Sequence, residues 1–187
     1  MAGQHTLTET ERAVGDRLAS MSLDMAAMAA VSNIYRAAGA IRNRFERTVL
    51  APADLTWTAW VVLWVVWIWE DIESRHVAAE AGISKGTLTG VASTLERRGL
   101  LRRRTHPDDA RRVLLSLTPA GKRLMGKLFP QFNAQEALVV EPLGARETQV
   151  LTTALRKIVM EYATMRHQQR QNALREERSR LAAPASE

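Results

Sequence analysis

The 187-residue chain has no cysteine and few aromatic residues, and it has no long apolar run. Without cysteine it forms no disulfide and offers no thiolate nucleophile or thiolate metal ligand, which fits a reducing compartment. The longest apolar run, from Ala59 to Trp69, has 11 residues, whereas a membrane-spanning helix needs about 17–25. The first 20 residues contain three acidic side chains and no apolar run, so we expect no secretory signal and a cytoplasmic location.

The sequence also lacks the motifs of an enzyme or a metalloprotein. Its four histidines, His5, His76, His106 and His167, do not have the spacing of metal ligands. There is no glycine-rich phosphate loop and no GxSxG nucleophile motif. We therefore predict a protein that is not an enzyme and that uses neither a metal nor a cofactor.

Arginine is the residue in excess. The formal net charge is +6, and 22 of the 26 basic residues are arginine, seven of them between Arg97 and Arg112. The guanidinium group is planar and permanently charged, which suits phosphate groups and guanine edges. A basic excess is also compatible with an anionic membrane surface, an acidic partner or a solvated face, so the position of the arginines has to decide.

The sequence predicts mostly helices, because proline and glycine are sparse. Thr8 and Glu11 have the spacing of a capping box near the N-terminus. The segment after Thr56 is almost entirely apolar, so we expect that helix to be enclosed on all sides. Gly82 and Gly99 are placed to end helices, and Ser84 is placed to cap one. The predicted helices span residues 6–20, 23–50, 56–69, 74–81, 84–98, 119–139 and 145–166, with a polar helical extension or a disordered tail beyond.

Two segments between the fifth and sixth of these helices have strand-like composition. Leu100–Thr105 and Val113–Leu117 flank the turn-forming residues 106–110, which predicts a two-stranded hairpin with a longer charged loop. Arg111 and Arg112 are expected at its tip. Asp109 is expected to hold the Arg111 guanidinium through both carboxylate oxygens.

Helices followed by a hairpin in this order are typical of a winged helix-turn-helix, whose second motif helix enters the DNA major groove. The start of the 84–98 helix carries hydroxyl groups, a lysine and free backbone N–H groups, which suit phosphate. Arginines on a hairpin can reach phosphates or a narrow minor groove. The candidate DNA-binding residues are Ser84, Lys85, Gly86, Thr87, Thr89, Arg104, His106, Asp109, Arg111 and Arg112.

Five short motifs, read together, resemble the MarR family of bacterial transcriptional regulators. They are Leu55-Thr56, Ile83–Thr89, Leu95–Leu100, Pro107–Arg111 and Leu115–Gly121. The resemblance implies a mainly α fold with a small β-hairpin wing, in which a winged helix-turn-helix lobe is joined to a helical dimerisation region. It further implies a homodimer on a pseudo-palindromic operator, commonly a repressor, often released by a small aromatic or phenolic acid. Gly90, Ser93 and Thr94 depart from the pattern, because the family usually carries basic or charged residues there.

The implied organisation has five parts. They are an N-terminal extension (1–22), a dimerisation helix (23–53), the DNA-binding lobe (54–118), C-terminal dimerisation helices (119–167) and the extension or tail (168–187).

All five tryptophans lie within 13 residues. On a helix Trp57, Trp60, Trp64 and Trp67 share an arc of about 80°, with Trp69 elsewhere. They either form core or line a pocket for an aromatic effector. The resemblance places effector sites at the junction of these helices, and the candidate effector residues are Asn33, Arg36, Arg42, Trp60, Trp64 and Trp67. Relatives that respond to urate use a tryptophan in the N-terminal helix, and this chain has none there.

Two other functions stay open at this point. One is a protein-interaction module that kept the fold but lost specific DNA binding, which the residues at positions 90, 93 and 94 favour. The other is an architectural protein that binds DNA without sequence preference.

Overall fold

The computed structural model describes residues 5–182, without the side chains of residues 166, 167, 170 and 173–182. The described part is mainly helical with one small antiparallel sheet, which confirms the predicted fold class. The elements are α1 (Leu7–Leu18), α2 (Met25–Phe45), α3 (Trp57–Trp69), β1 (Ile72–Glu73), α4 (Ser74–Glu80), α5 (Lys85–Arg97), β2 (Leu101–His106), β3 (Asp109–Leu117), α6 (Pro119–Val140) and α7 (Ala145–Ala182). The chain divides into two compact units, one ending at Gln135 and the other beginning at Glu136.

Helix α1 is capped two residues earlier than the sequence predicted. The Thr6 hydroxyl accepts a hydrogen bond from the Glu9 N–H (3.2 Å), and the Glu9 carboxylate accepts one from the Thr6 N–H (2.7 Å). The predicted Thr8–Glu11 box is therefore wrong, because threonine and glutamate recur at the same spacing along this stretch. The Glu11 carboxylate instead accepts a hydrogen bond from the Asn33 amide (3.1 Å), which ties α1 to α2.

The junction between α2 and α3 is a tight connection in which the α-helical pattern is interrupted. After a π-helical turn (Glu46–Leu50) and a 3-10 turn (Ala51–Ala53), Asp54 adopts a left-handed conformation with φ of 52°. The Arg98 guanidinium donates to the carbonyl groups of Ala53 and Asp54 and so braces this turn from the end of α5. The Thr56 hydroxyl then caps α3 by accepting from the Ala59 N–H at 3.2 Å.

Helix α3 forms the centre of the first unit. Val62, Leu63 and Val66 are fully buried. The expectation that α3 is enclosed on all sides is wrong at its C-terminal end, where Ile68 and Trp69 are 50% and 63% exposed. Burial stops there because the chain turns away at Glu70 into the sheet, which leaves nothing to cover the last turn.

The wing is a three-stranded sheet in the order β1-β3-β2. The predicted hairpin is present as β2 and β3, but the third strand, β1, was missed. Ile72 pairs with Leu115 and Glu73 pairs with Leu114, so β1 follows directly from the end of α3 and covers the base of β3. The predicted long loop is also wrong, because β3 begins at Asp109 and only two residues connect the strands.

Helix α6 begins at Pro119, as predicted, and continues past Pro130. Gly121 lies in its first turn against the backbone of Leu100, where a Cβ atom would overlap the Leu100 carbonyl oxygen. Helix α7 is helical through Ala182, so residues 168–182 of the predicted extension are helical and residues 183–187 lie outside the described residues. Within the described range no single helix is long and apolar enough to cross a membrane. The bent pair formed by residues 25–53 and 57–69 meets that test only jointly, with 76° between its halves.

Candidate nucleic-acid interface

The N-terminus of α5 is held by a local network of hydroxyl groups. Gly82, with φ of 64°, ends the turn after α4 and directs the chain into Ser84. The Ser84 hydroxyl accepts a hydrogen bond from the Thr87 N–H (3.0 Å) and lies 2.8 Å from the Thr87 hydroxyl. The predicted cap is confirmed. The first turn of α5 is held by these bonds and is exposed, with Lys85 at its start.

The outer side of α5 lacks side chains at two positions in its first turns and carries the exposed Arg97 further along. Leu88, Ala92 and Leu95 anchor the helix in the core. At 100° per residue, the opposite side carries Gly86 and Gly90. A Cβ atom at Gly90 would meet nothing within 4 Å, so the fold itself does not require glycine there.

Arg111 extends from the start of β3 into solvent. Its side chain is 92% exposed, and a single Asp109 oxygen accepts from both its backbone N–H (3.0 Å) and its Nε (3.2 Å). The expected two-oxygen contact is therefore wrong, because the oxygen that accepts the backbone bond also accepts the bond from the guanidinium. These bonds hold the pKa of Asp109 below its ordinary value. Asp109 thus stays ionised and keeps Arg111 oriented.

Arg104 and Arg112 lie on the strands and carry carboxylate partners, rather than standing free at the tip as expected for Arg112. Arg104 forms an ion pair with Asp71 (2.7 Å), and Arg112 bonds the carboxylate of Glu73. The Arg112 hydrogen bond lowers the pKa of Glu73 to about 2, and the Arg104 bond lowers that of Asp71. Glu73 lies in β1 and Asp71 directly precedes it, and the sequence did not predict this strand. In the sequence, the one signal for these ion pairs is that acidic residues cluster there, as arginines do in the wing.

The remaining wing residues make contacts within the lobe. Arg102 donates to the Ser116 hydroxyl (2.9 Å), and Arg103 points towards α5. The His106 ring is half-buried, and its Nδ1 accepts from the Asp108 N–H at 3.2 Å. Of the wing cations expected to reach DNA, Arg111 is therefore the one that projects most fully into solvent.

The tryptophan stripe packs against phenylalanines of α6. The Trp60 ring stacks on Phe132 with centroids 4.5 Å apart, and the Trp64 ring stacks on Phe129 at 5.0 Å. Trp67 contacts Phe129 at 5.5 Å. These contacts are those expected for core residues. The two phenylalanines were not singled out in the sequence, although their spacing of three residues on a predicted helix is a usable signal.

The polar candidates for an effector site lie apart from these rings. Asn33 bonds Glu11, as described above. Arg42 pairs with Glu46 at 3.4 Å. Arg36 lines an open groove along α2, next to Tyr35 and Asn43. The six predicted effector residues are thus not brought together in one cavity of the described chain.

Comparison with known proteins links this arrangement to an established group. Residues 55–113 match the family model described as "MarR family". The uncharacterised HTH-type transcriptional regulator YwaE of Bacillus subtilis (strain 168) is 34% identical over 137 residues, covering 73% of this chain and 80% of that protein.

Two solved structures share the fold and have ligands in their descriptions. BpsR of Bordetella bronchiseptica, whose DNA binding is regulated by 6-hydroxynicotinic acid, is 26% identical with a TM-score of 0.64, covering 70% of this chain and 98% of that one. NadR, solved in complex with 4-hydroxyphenylacetate, is 26% identical with a TM-score of 0.59, covering 67% of this chain and 89% of that one.

Proposed function

The chain belongs to the MarR family of transcriptional regulators, and we propose that this DNA-binding regulator acts as a homodimeric repressor on a pseudo-palindromic operator. The observation that carries the proposal is the pairing of two exposed features on one lobe. One is the capped start of α5, and the other is Arg111 at the end of the wing. They match the two ways in which proteins read a duplex, a helix in the major groove and a cation on phosphates or in the minor groove.

We assign the contacts with DNA as follows. Lys85 and the free backbone N–H groups of the first turn bind phosphate, because a helix N-terminus favours anions. Thr87 and Thr89 lie on the two flanks of the outer side of α5, from which their hydroxyls, already oriented by Ser84 and by the Lys85 carbonyl, reach the groove. The other proposed members, Gly86, His106 and Asp109, allow close approach or orient the wing. Arg104 and Arg112 would contact DNA only by releasing their carboxylate partners.

Measurements of affinity against salt concentration test the Arg111 assignment. The duplex is the one that the wild-type protein enriches from a random library. Arg111→Ala should weaken binding and reduce the slope of log K against log salt by about one, because one phosphate contact releases about one counterion. Arg123→Ala, which removes an exposed arginine from α6 outside the proposed interface, is the matched control. If Arg111→Ala and Arg123→Ala have the same affinity and the same salt slope, the proposed contact between the wing and DNA is wrong.

The homodimer is supported by apolar side chains that a lone chain leaves in water. In the second unit Ile158, Tyr162 and Met165 lie four and three residues apart on one side of α7 and are 44%, 63% and 38% exposed. Large contiguous apolar surfaces of this kind are rare on monomers. Ile158→Glu should shift the mass of the sedimenting species from that of two chains towards that of one chain. Gln149→Glu adds the same charge to an already polar, exposed position of the same helix and should leave the dimer intact.

Operator geometry gives a second test of the dimer. Two recognition helices related by a twofold axis require half-sites about one helical turn apart, roughly 10 bp between centres. Footprinting of the enriched duplex should therefore show two symmetric protected halves. One asymmetric protected region would contradict the dimeric arrangement.

We further propose that a small aromatic acid releases the repressor, with the tryptophan stripe of Trp60, Trp64 and Trp67 as the candidate contact, whereas the other predicted residues, Asn33, Arg36 and Arg42, lie apart from it. The ligands of BpsR and NadR support this ligand class. A ligand shifts the equilibrium only by its differential affinity for the two forms, so binding and release from DNA must be measured together. Titration of tryptophan fluorescence with 4-hydroxyphenylacetate and 6-hydroxynicotinic acid should show quenching and loss of the DNA complex. If no acid in a panel of aromatic acids quenches the fluorescence or dissociates the DNA complex, the tryptophan stripe is core and not an effector site.

A second candidate is a protein-interaction module with the same fold. It is favoured by the lack of side chains at Gly86 and Gly90 on the outer side of α5 and by the Thr94 hydroxyl, which donates back to the Gly90 carbonyl (3.2 Å). This reading predicts no preference among duplexes, whereas a specific regulator should favour its operator by about 10³ or more.

A further inference from the structure

Arg103 on β2 bridges the wing and α5. Its Nη2 donates to the Thr89 carbonyl (3.0 Å) and to the Ser93 hydroxyl (2.9 Å). Its Nε lies 3.5 Å from one oxygen of the Glu96 carboxylate, and the other oxygen accepts from the Arg103 backbone N–H at 3.3 Å. One side chain of the wing thus meets three residues of the helix.

The three partners form one line on α5. Thr89, Ser93 and Glu96 are four and three residues apart, which places them on the same side of a helix. That side faces β2, and it differs from the outer side that carries Gly86 and Gly90. The polar residue at position 93 therefore has a role within the lobe.

The geometry differs from that of a residue that binds phosphate. The side chain of Arg103 is only 31% exposed, against 92% for Arg111. Its hydrogen bonds fix the guanidinium plane between two elements, which uses the planar fork of arginine in a way that a lysine ammonium cannot reproduce.

We propose that Arg103 is a positioning residue for DNA recognition. It holds the wing at a fixed distance and angle from α5, so that Arg111 and the start of the helix meet one duplex without prior adjustment. The inference rests on the proposed function, in which both elements contact the same DNA. Holding two contact elements in the binding geometry raises affinity by reducing the entropy lost on association. Ser93 takes part as an acceptor for Arg103.

The test compares Arg103→Ala, Arg103→Lys and the matched control Arg102→Ala, which removes the neighbouring arginine that bonds Ser116 within the sheet. Binding is measured over a range of salt concentrations to the duplex that the wild-type protein enriches and to a scrambled duplex of the same length. We expect both Arg103 variants to bind the enriched duplex about ten-fold more weakly, with unchanged affinity for the scrambled duplex and an unchanged salt slope. Arg102→Ala should prefer the enriched duplex over the scrambled duplex as strongly as the wild type does.

Equal weakening on both duplexes, with a salt slope smaller by about one, would show that Arg103 binds phosphate and would overturn the proposal. Wild-type affinity of Arg103→Lys for the enriched duplex would also overturn the proposal, because the positive charge alone would then be sufficient. Ser93→Ala supplies a double-mutant cycle with Arg103→Ala. The two effects should be less than additive if Ser93 acts through Arg103, and additive if Ser93 reads a base.

Hydrogen–deuterium exchange of the free protein separates failure of this inference from failure of the proposed function. Arg103→Ala should speed amide exchange in β2 and in the second half of α5, whereas Arg102→Ala should not change α5. Unchanged exchange in Arg103→Ala would overturn the positioning role even if the wild type binds its operator. If the wild type shows no sequence preference and Arg103→Ala still exchanges faster, the proposed function is wrong. The contact between Arg103 and α5 is then a structural link only.

Discussion

Gly121→Ala is the substitution whose effect the structure defines most sharply. Gly121 lies in the first turn of α6 against the backbone of Leu100. A Cβ atom there would overlap the Leu100 carbonyl oxygen and lie 3.1 Å from its carbon and 3.4 Å from the Leu117 Cβ. Backbone cannot rotate away as a side chain can, so the two segments would have to separate by about 1.2–1.5 Å to reach an ordinary C···O distance.

That separation weakens two hydrogen bonds that hold the start of α6. The Thr118 N–H donates to the Leu100 carbonyl at 3.1 Å, and the Thr118 hydroxyl donates to the Gly99 carbonyl at 2.6 Å. Each bond contributes about 1 kcal/mol, and overpacking adds about 1–3 kcal/mol. We therefore expect the free energy of unfolding to fall by about 3 kcal/mol, which lowers Tm by about 6–12 °C for a chain of this size.

Gly126→Ala on the same helix is the matched control. A Cβ atom at Gly126 meets nothing within 4 Å, so the substitution should leave Tm unchanged or raise it, because alanine favours helix over glycine by up to about 1 kcal/mol. Both variants are melted by circular dichroism at one protein concentration, since association shifts Tm. Equal melting temperatures for the two variants would refute the reasoning from backbone contact.

Three further predictions follow from described contacts. Glu73→Gln removes a carboxylate that bonds Arg112 and pairs with Arg75 (2.9 Å). Because the fold lowers the pKa of Glu73 from 4.5 to about 2, its stabilisation is present above pH 4.5 and is lost as the pH falls towards 2. The variant should melt below the wild type at pH 7 and converge with it near pH 2, and parallel curves would contradict this. Gly90→Ala places a Cβ atom in open space on α5 and should raise Tm by about 2–4 °C, as up to about 1 kcal/mol of helix propensity is gained. A lower Tm would mean that the fold needs glycine there. Trp69 is 63% exposed and Trp60 only 4%, so Trp69→Phe should remove most of the acrylamide-quenchable fluorescence and Trp60→Phe should not.

Local signals predicted the helix-turn-helix well. Gly82, Ser84 and Gly99 each act through their own backbone or through a neighbour within three residues, so the sequence alone contains the information. The capping box failed for the opposite reason. Thr6–Glu9 and Thr8–Glu11 are equivalent as patterns, and only the actual start of the helix distinguishes them.

Non-local pairing explains what the sequence did not predict. Strand β1 has two residues, too few for any periodicity, and exists because Ile72 meets Leu115 across the sheet. The length of β3 was underestimated because its first residues are polar and resemble a loop, although Asp109 still pairs with His106 beyond an irregularity in the register after Thr105. The partners of Arg103, Arg104 and Arg112 likewise come from other elements, so a count of arginines could not separate internal ion pairs from free cations.

The short strand β1 also determines which part of the wing can bend. It pairs with β3 only at Leu114 and Leu115, so the base of the sheet is three strands wide and the outer part is a two-stranded ribbon. Bending is therefore concentrated beyond the Thr105–Val113 pair. Arg111 lies on this outer ribbon, whereas Arg103, opposite Leu115, lies on the root of the wing, which keeps its place beside the end of α3.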